Sequence, residues 1–314
     1  MRLISYGKDR LSDAEGAVAA LGNFDGVHKG HQALIAEAAR FAQGLAAPLG
    51  AAVFEPHPRR FFQADAPPFL LMRVSDKARL LNDLGCDPIF VLPFDAAMAA
   101  LTPEAFVRDV LVDGLKLKGV VVGGEFRFGA RRAGGVDALK ALGASAGLAV
   151  HIVEPRSARD NEDKYSSTDV RAALRNGDPK RAADILGRPW FVEGVVSEGD
   201  KRGRTIGFPT ANIWLGDLVE PRYGVYAVTV NVEGALYAGV ANFGRRPTVK
   251  GDAPRLEVHL FGFDGDLYGK TAAVAFYDFL RPEQAFDGLD ALQEQIKKDA
   301  AKARRLADAV LSPS

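Results

Sequence analysis

Two histidines at the start of a predicted helix are the residues of this chain best placed to do chemistry. Residues 22–31 read Gly-Asn-Phe-Asp-Gly-Val-His-Lys-Gly-His and follow the apolar run 17–21. His28 and His31 stand three residues apart, where a helix over 32–43 is predicted to begin. A helix N-terminus carries unpaired N–H groups and about half a positive charge, which favours phosphate. Imidazoles added there suit a polyphosphate whose charge grows during a reaction.

Two further segments could contribute to the same site. Residues 120–129 read Val-Val-Val-Gly-Gly-Glu-Phe-Arg-Phe-Gly and predict a strand followed by a glycine loop that carries Glu125. Residues 165–171 read Tyr-Ser-Ser-Thr-Asp-Val-Arg and predict a helix start rich in hydroxyls, with Arg171 close behind. Hydroxyls at a helix start can bind phosphate, and an ordinary N-cap is the alternative interpretation of the same residues.

A second group of candidate residues lies in the other half of the chain. Within residues 194–212, the stretch between Gly199 and Gly207 predicts a loop rich in glycine and cations, which is suited to close over a polyphosphate. Thr210 and Asn212 are two residues apart, so an extended chain places them on one side. Both side chains offer oxygen donors that suit Mg²⁺ bound together with nucleotide phosphates.

The elements that must position the histidines alternate between strand and helix. Short, continuous apolar runs are typical of strands that are buried on both faces of a parallel sheet. The pattern therefore predicts a doubly wound α/β domain. Its strands are predicted at residues 17–21, 49–54, 88–92, 119–122 and 149–153, and its helices at 32–43, 75–84, 103–112 and 135–146, with Ser75 and Thr102 as N-caps.

The second half of the chain predicts hairpins instead. Turn residues at 233–234 and 264–265 separate runs that alternate in polarity, which indicates an antiparallel barrel or sandwich. A helix from about Phe286 presents an apolar face that should pack against this barrel. We expect the domains to comprise residues 1–186 and 187–314. The strands are predicted at residues 191–197, 225–232, 236–243, 256–263 and 272–279.

Composition narrows the classes of function. The 314 residues suffice for two domains, and 40 Lys and Arg balance 40 Asp and Glu, so the net charge gives no indication of nucleic acid binding. The single cysteine, Cys86, excludes an internal disulfide framework and a multi-cysteine metal site. No apolar run approaches the roughly 18–20 residues that cross a bilayer. We expect a cytoplasmic protein without nucleic acid or membrane partners, and composition leaves the oligomeric state open.

Taken in order, these motifs resemble the prokaryotic bifunctional riboflavin kinase/FAD synthetases, also called FMN adenylyltransferases. The spacing of His28 and His31 resembles the His-x-Gly-His signature of nucleotidylyltransferases. The resemblance implies a nucleotidylyltransferase-like parallel sheet followed by a riboflavin kinase-like barrel with a C-terminal helix. It also rests on Phe-Glu-Pro-His-Pro at 54–58 and on residues 239–248, 256–261 and 279–283.

The implied function is the biosynthesis of flavin cofactors in two steps. The C-terminal domain would phosphorylate riboflavin to FMN with ATP, leaving ADP. The N-terminal domain would adenylylate FMN to FAD and release pyrophosphate. The implied cofactor is Mg²⁺, with ATP as co-substrate.

For the first domain, the resemblance assigns His28 and His31 as catalytic residues that hold the ATP phosphates. Members of the family usually carry Asp or Asn at the position of Glu125, and the extra methylene can shift a nucleotide contact by about an ångström. The alternative interpretation of His57 is a turn residue between two prolines. The implied ATP residues are Gly22, Asn23, Phe24, Asp25, Gly26, Glu125, Ser167, Thr168 and Arg171, and the flavin residues are Phe54, His57, Pro58 and Phe128.

For the second domain, the resemblance makes Glu257 the base that takes the proton from the 5′-hydroxyl of riboflavin. The alternative for Glu257 is an outward-facing residue of an alternating strand. Arg281 either faces the flavin or caps the last strand. The implied ATP residues are Gly199, Lys201, Gly203, Arg204 and Gly207, together with Thr210 and Asn212, which also hold the metal.

Three other functions are compatible with parts of the pattern. A kinase whose first domain transfers another nucleotide, such as CMP, stays open because of Glu125. A regulator that binds flavin or nucleotide is disfavoured, because a pure binder needs no base beside a hydroxyl. A nucleic acid binder that uses residues 201–204 is disfavoured because stacking aromatics are absent from that cluster.

Overall fold

The structure of the protein is a computed structural model that describes residues 1–9, 14–154, 165–197, 210–245 and 254–311. By their internal contacts these residues divide into two units. The first comprises Met1–Ala66 and Arg73–Tyr165, and the second comprises Pro67–Met72 and Ser166–Ser314. The predicted domain boundary between residues 186 and 187 stays a prediction.

The first unit is built on a six-stranded parallel sheet, which confirms the predicted doubly wound α/β class. Its strands are β1 (Leu3–Ser5), β2 (Val18–Leu21), β3 (Leu49–Glu55), β4 (Ile89–Pro93), β5 (Gly119–Gly123) and β6 (Ala149–Val153). They pair in the order β1-β4-β3-β2-β5-β6. The chain therefore reverses direction across the sheet between β2 and β5, and ligands of such sheets bind outside the carboxyl ends of strands at that point.

The helices of the first unit connect these strands. Thr102 caps its helix as predicted, because its hydroxyl accepts the Ala105 amide at 3.2 Å. Ser75 is not an N-cap, since the helix begins one residue earlier and Arg73 holds the cap position. The helices are α1 (Lys29–Gly44), α2 (Pro58–Phe62), α3 (Val74–Asp83), α4 (Ala96–Ala100), α5 (Pro103–Ala105), which continues as a π-helix (Phe106–Val112), a short 3₁₀ helix (Ala130–Arg132) and α6 (Val136–Ala146).

The second unit contains two helices followed by an antiparallel barrel and a C-terminal helix. The strands pair in the order β7-β12-β9-β10-β11-β8, and a bridge from Ser197 to Asn212 nearly closes the sheet. The elements are α7 (Ser167–Asn176), α8 (Pro179–Leu186), β7 (Trp190–Val195), β8 (Ala211–Trp214), β9 (Gly224–Val232), β10 (Ala235–Gly244), β11 (Arg255–Leu260), β12 (Thr271–Pro282) and the C-terminal helix (Leu289–Leu311).

One of the two predicted hairpin turns is correct. Glu233 and Gly234 turn between the paired strands β9 and β10, both with positive φ. The turn predicted at 264–265 is wrong, because β11 ends at Leu260 and its neighbours are β10 and β8 rather than β12. The C-terminal helix packs on the barrel as predicted, with Ala300 and Ala303 buried against its strands. Among the described residues, no helix is long and apolar enough to span a membrane.

Candidate active sites

The loop between β2 and α1 is held in place by side chains that point into the protein. Phe24, Asp25 and Val27 are all buried. Phe24 and Val27 have φ of 47° and 43°, a conformation that residues other than glycine adopt only when their surroundings enforce it. The loop is thus fixed by its own apolar side chains, at the carboxyl end of β2.

The two histidines are joined through the first turn of α1. His28 is the N-cap, and its Nδ1 atom accepts the His31 amide at 3.3 Å. The two rings stack, with centroids 3.6 Å apart. A Cβ atom on Gly30 would lie 3.1 Å from the His28 ring, so glycine at this position leaves room for the imidazole. Glycine at the third position of the His-x-Gly-His pattern therefore avoids a tight contact with the stacked ring.

The imidazole of His31 sits in an environment that disfavours a positive charge. Burial, followed by the charges of His28 and Lys77, holds the pKa of His31 well below its usual range. The His31 Nδ1 atom is buried without a hydrogen-bond partner among the described residues. His31 is therefore neutral near pH 7 and offers a polar nitrogen that the described residues leave unused.

A cavity of about 620 Å³ lies at the same edge of the sheet. Seven of the residues singled out from the sequence line it, because they follow the adjacent strands β2, β3 and β5. His28 and His31 are not among the lining residues, and neither are Phe24, Asp25 and Gly26. The seven are Gly22, Asn23, Phe54, His57, Pro58, Glu125 and Phe128.

Aromatic rings and cations form much of this cavity. Phe54 and Phe62 both pack edge to face against Phe94, with centroids 5.5 and 5.7 Å apart. Such walls suit a planar aromatic ligand, and the cations suit an anionic group on it. Helices α2 and α4 were not predicted from the sequence, although the adjacent aromatic residues Phe61 and Phe62 indicated an apolar surface there. The other lining residues are Arg59, Gln63, Met98, Ala99, Phe106, Phe126, Arg127, Gly129, Arg131 and Arg132.

The hydroxyl-rich residues Ser166, Ser167 and Thr168, at the start of α7, belong to the second unit. Ser166 is the N-cap of the helix, since its hydroxyl accepts the Asp169 amide at 3.2 Å. Arg171 donates from Nε to the Phe69 carbonyl at 2.6 Å. The cap interpretation is thus correct for Ser166, and phosphate binding by Ser167, Thr168 and Arg171 stays a prediction.

Three polar residues form a row across the barrel. Glu257 on β11 lies opposite Asn242 on β10 and opposite Asn212 on β8. The Asn212 side chain is buried, and its Oδ1 atom has no hydrogen-bond partner among the described residues. An unpartnered buried oxygen is costly unless a ligand satisfies it, and a hard cation fits this donor.

Two residues of this row, Asn242 and Glu257, line a second cavity of about 370 Å³. Thr210, Glu257 and Arg281, which were singled out from the sequence, come together in it. The predicted ATP residues Gly199, Lys201, Gly203, Arg204 and Gly207 lie outside the described residues. The remaining lining residues are Val225, Val240, Ala241, Asn242, His259, Glu283, Gln284, Phe286, Leu292, Ile296 and Asp299.

Arg281 is held by the C-terminal helix. Its guanidinium donates to the Asp299 carboxylate at 2.9 and 2.8 Å, and its centre lies 5.6 Å from the Phe286 ring. The other Asp299 oxygen accepts from Gln295 at 2.9 Å. Arg281 thus lines the cavity while Asp299 of the C-terminal helix balances its charge. The position of Arg281 at the end of β12 did not predict this ion pair.

Replacing Asp299 by asparagine should destabilise the second unit by about 3 kcal/mol, since the half-buried Arg281 guanidinium loses the charge of its buried partner. Asp278→Asn is the matched control, because it breaks a pair with the largely exposed Lys180 and should cost less than about 1 kcal/mol. Both tryptophans of the chain, Trp190 and Trp214, lie in this unit, so their fluorescence during urea unfolding reports its stability. Equal shifts for the two variants would contradict the assignment.

Known proteins match both halves of the chain. A family model described as FAD synthetase matches residues 10–169, and one described as riboflavin kinase matches residues 186–307. The bifunctional riboflavin kinase/FMN adenylyltransferase of Pseudomonas fluorescens is 41% identical over 308 residues, covering 98% of each chain. The protein of that name from Escherichia coli K12 is 42% identical over 307 residues, covering 97% of each.

A solved structure is similar over almost the whole length. It is titled as a macrolide-efflux protein from Streptococcus pneumoniae and is 32% identical, with a TM-score of 0.84, covering 97% of this chain and 99% of that chain. The residues matched to FAD synthetase include the first cavity, and those matched to riboflavin kinase include the second. The chain therefore belongs to the family of bifunctional riboflavin kinases/FMN adenylyltransferases.

Proposed function

We propose that this chain makes FAD from riboflavin in two ATP-dependent steps, each with its own cavity. The second unit phosphorylates riboflavin to FMN, and the first unit adenylylates FMN to FAD and releases pyrophosphate. The observation that carries the proposal is that each cavity is lined by residues of one unit alone. The two acceptor sites that we propose therefore share no lining side chains.

In the kinase reaction, Glu257 is the general base. Its carboxylate accepts the proton of the ribityl 5′-hydroxyl while that oxygen attacks the γ-phosphorus of ATP. The cavity supports this role, because Leu292 and Ile296 of the C-terminal helix line the same space as Glu257 and offer an apolar surface to a flavin ring. Arg281, fixed by Asp299, supplies a directed cation to the same cavity.

The donor set beside Glu257 fits a magnesium ion. Asn212 Oδ1 and the Thr210 hydroxyl would hold it together with the ATP phosphates, and the buried, unpartnered Oδ1 is the observation that supports this. When bound, Mg²⁺ neutralises charge on the transferring phosphoryl group. Phosphate binding by Gly199, Lys201, Gly203, Arg204 and Gly207, which lie outside the described residues, stays a prediction from the sequence.

In the adenylyltransferase reaction, the FMN phosphate attacks the α-phosphorus of ATP and pyrophosphate leaves. No covalent enzyme intermediate is needed, so positioning and charge stabilisation carry the catalysis. His28 and His31 donate to the ATP phosphates at the start of α1, next to Asn23. FMN occupies the aromatic cavity, between Phe54, Phe128 and the proline and histidine at the start of α2.

The remaining ATP contacts of the first reaction are proposals of the same kind. The loop residues Gly22, Phe24, Asp25 and Gly26 bring the backbone close to the phosphates. Phosphate binding by Ser167, Thr168 and Arg171 stays a prediction from the sequence, because α7 belongs to the second unit. Glu125 lines the FMN cavity and is the residue through which a different nucleotide preference would arise.

The purified protein, given riboflavin, ATP and Mg²⁺, is expected to produce FMN first and FAD afterwards. Chromatography of the flavins over time measures both products, and chelation of Mg²⁺ in a parallel sample should stop the first step. FMN that never advances to FAD would contradict the adenylyltransferase assignment. CTP in place of ATP, with FMN supplied, tests the alternative nucleotide, and a faster reaction with CTP would favour cytidylyl transfer.

A further inference from the structure

A lysine is buried near the loop between β2 and α1 (residues 22–28), which we call the phosphate loop. Lys77 on α3 is 2% exposed, although lysine is almost never fully buried unless it is paired. The carboxylates of Asp25, itself 2% exposed, and Glu55 interact with its charge. Lys77 also acts electrostatically on His31. One ammonium therefore faces two carboxylates and a catalytic imidazole, all within the first unit.

The charges of Lys77, Asp25 and Glu55 matter because the proposed reaction places a polyphosphate at the phosphate loop, to which Asp25 belongs. Two carboxylates without a cation would repel the phosphates, and inside the protein that repulsion is screened less than in water. Burial lowers the pKa of Lys77, while Asp25 and Glu55 act in the opposite direction. The carboxylates thus favour the ammonium form, which offsets their own charge.

We propose that Lys77 is a positioning residue for adenylyl transfer, which neutralises the carboxylates near the phosphate loop and places a fixed positive charge beside His31. The inference rests on the adenylyltransferase function proposed above. Lys77 does not need to touch the substrate. It acts through Asp25, which belongs to the phosphate loop, and through the protonation of His31.

Removal of the Lys77 charge should change the pKa of His31, and this change can be measured. The charged and titratable groups that act on His31 are Lys77 and the stacked ring of His28. Without the ammonium, the pKa of His31 should rise toward its usual value, so His31 would take up a proton at higher pH. Since the site uses neutral His31, activity would then fail earlier as the pH is lowered.

The test is Lys77→Met, assayed for conversion of supplied FMN to FAD. We expect kcat/KM for ATP to fall by about tenfold to a hundredfold, and the acid limb of its pH profile to move to higher pH. Riboflavin phosphorylation by the same preparation should stay unchanged, because Lys77 and the kinase cavity belong to different units. Lys140→Met, the same change at an exposed lysine, should leave both activities at the wild-type level.

The two readouts, kcat/KM and the acid limb of the pH profile, separate a positioning role of Lys77 from a role in packing alone. A Lys77→Met protein with wild-type kcat/KM and an unmoved acid limb overturns the inference, as does a loss of activity without a shift of the limb, which would indicate packing alone. If protease digestion shows that the first unit of the Met variant is unfolded, Lys77→Gln decides by the same two readouts. Wild-type protein that makes no FAD contradicts the proposed function instead.

Discussion

Replacing Glu257 by glutamine is expected to slow the formation of FMN from riboflavin by about 10²–10⁴-fold, the usual contribution of a positioned base. Glutamine has nearly the same shape, and the pairing of β11 with β10 and β8 runs through the backbone, so the barrel should fold. Its amide cannot accept the proton of the attacking hydroxyl. Supplied FMN should still be converted to FAD, and chromatography with either flavin as substrate measures the two effects separately.

A second carboxylate in the same cavity provides the comparison. Glu283 lies 3.5 Å from the Asn242 amide and also lines the cavity, so Glu283→Gln removes a charge from the same space. We expect it to cost much less than Glu257→Gln. The reverse order would make Glu283 the base, and loss of FAD formation from supplied FMN in either variant would contradict two independent sites.

Replacing His28 by alanine is expected to stop FAD formation while FMN formation continues. The loss of a donor to the developing charge on the phosphates typically costs about 10²–10³-fold. The same change removes the N-cap of α1, which is worth about 1 kcal/mol of stability. The variant therefore combines a chemical and a structural loss, which a second variant can separate.

His28→Asn is the matched variant, since asparagine is a favourable N-cap but carries no imidazole. We expect it to recover the stability of the first unit and to remain unable to make FAD. Supplied FMN, with time courses of flavin products, and thermal unfolding measure the two properties. If the asparagine variant makes FAD at the wild-type rate, His28 serves only as a cap and its catalytic assignment is wrong.

The sequence predicted the sheet well because its strands are continuous apolar runs. Predicted and observed bounds of the inner strands differ by at most one residue at either end, as for 88–92 against Ile89–Pro93. The strands β1 and β8 were missed, because three or four residues give too short a pattern and Asn212 interrupts the apolar sequence of β8. Turn residues at 264–265 indicated a reversal, but local sequence does not encode which strands pair across the barrel.

The candidate sites were predictable where their residues follow strand ends. Gly22, Phe54 and Glu125 stand just after, or at the end of, the adjacent strands β2, β3 and β5, so the topology brings them to one cavity. Lys77 and Asp299 could not be found in this way. Each is an ordinary charged residue within an amphipathic helix, and only packing against other elements buries it.

The bond from the His31 amide to His28 Nδ1 has a consequence for proton placement. A ring nitrogen that accepts a hydrogen bond carries no proton, so neutral His28 must hold its proton on Nε2. The backbone of α1 therefore selects the tautomer before any ligand arrives, and His28 meets a phosphate as a donor. Acid that protonates Nδ1 would break the cap, so charging this imidazole also releases the first turn of the helix that it begins.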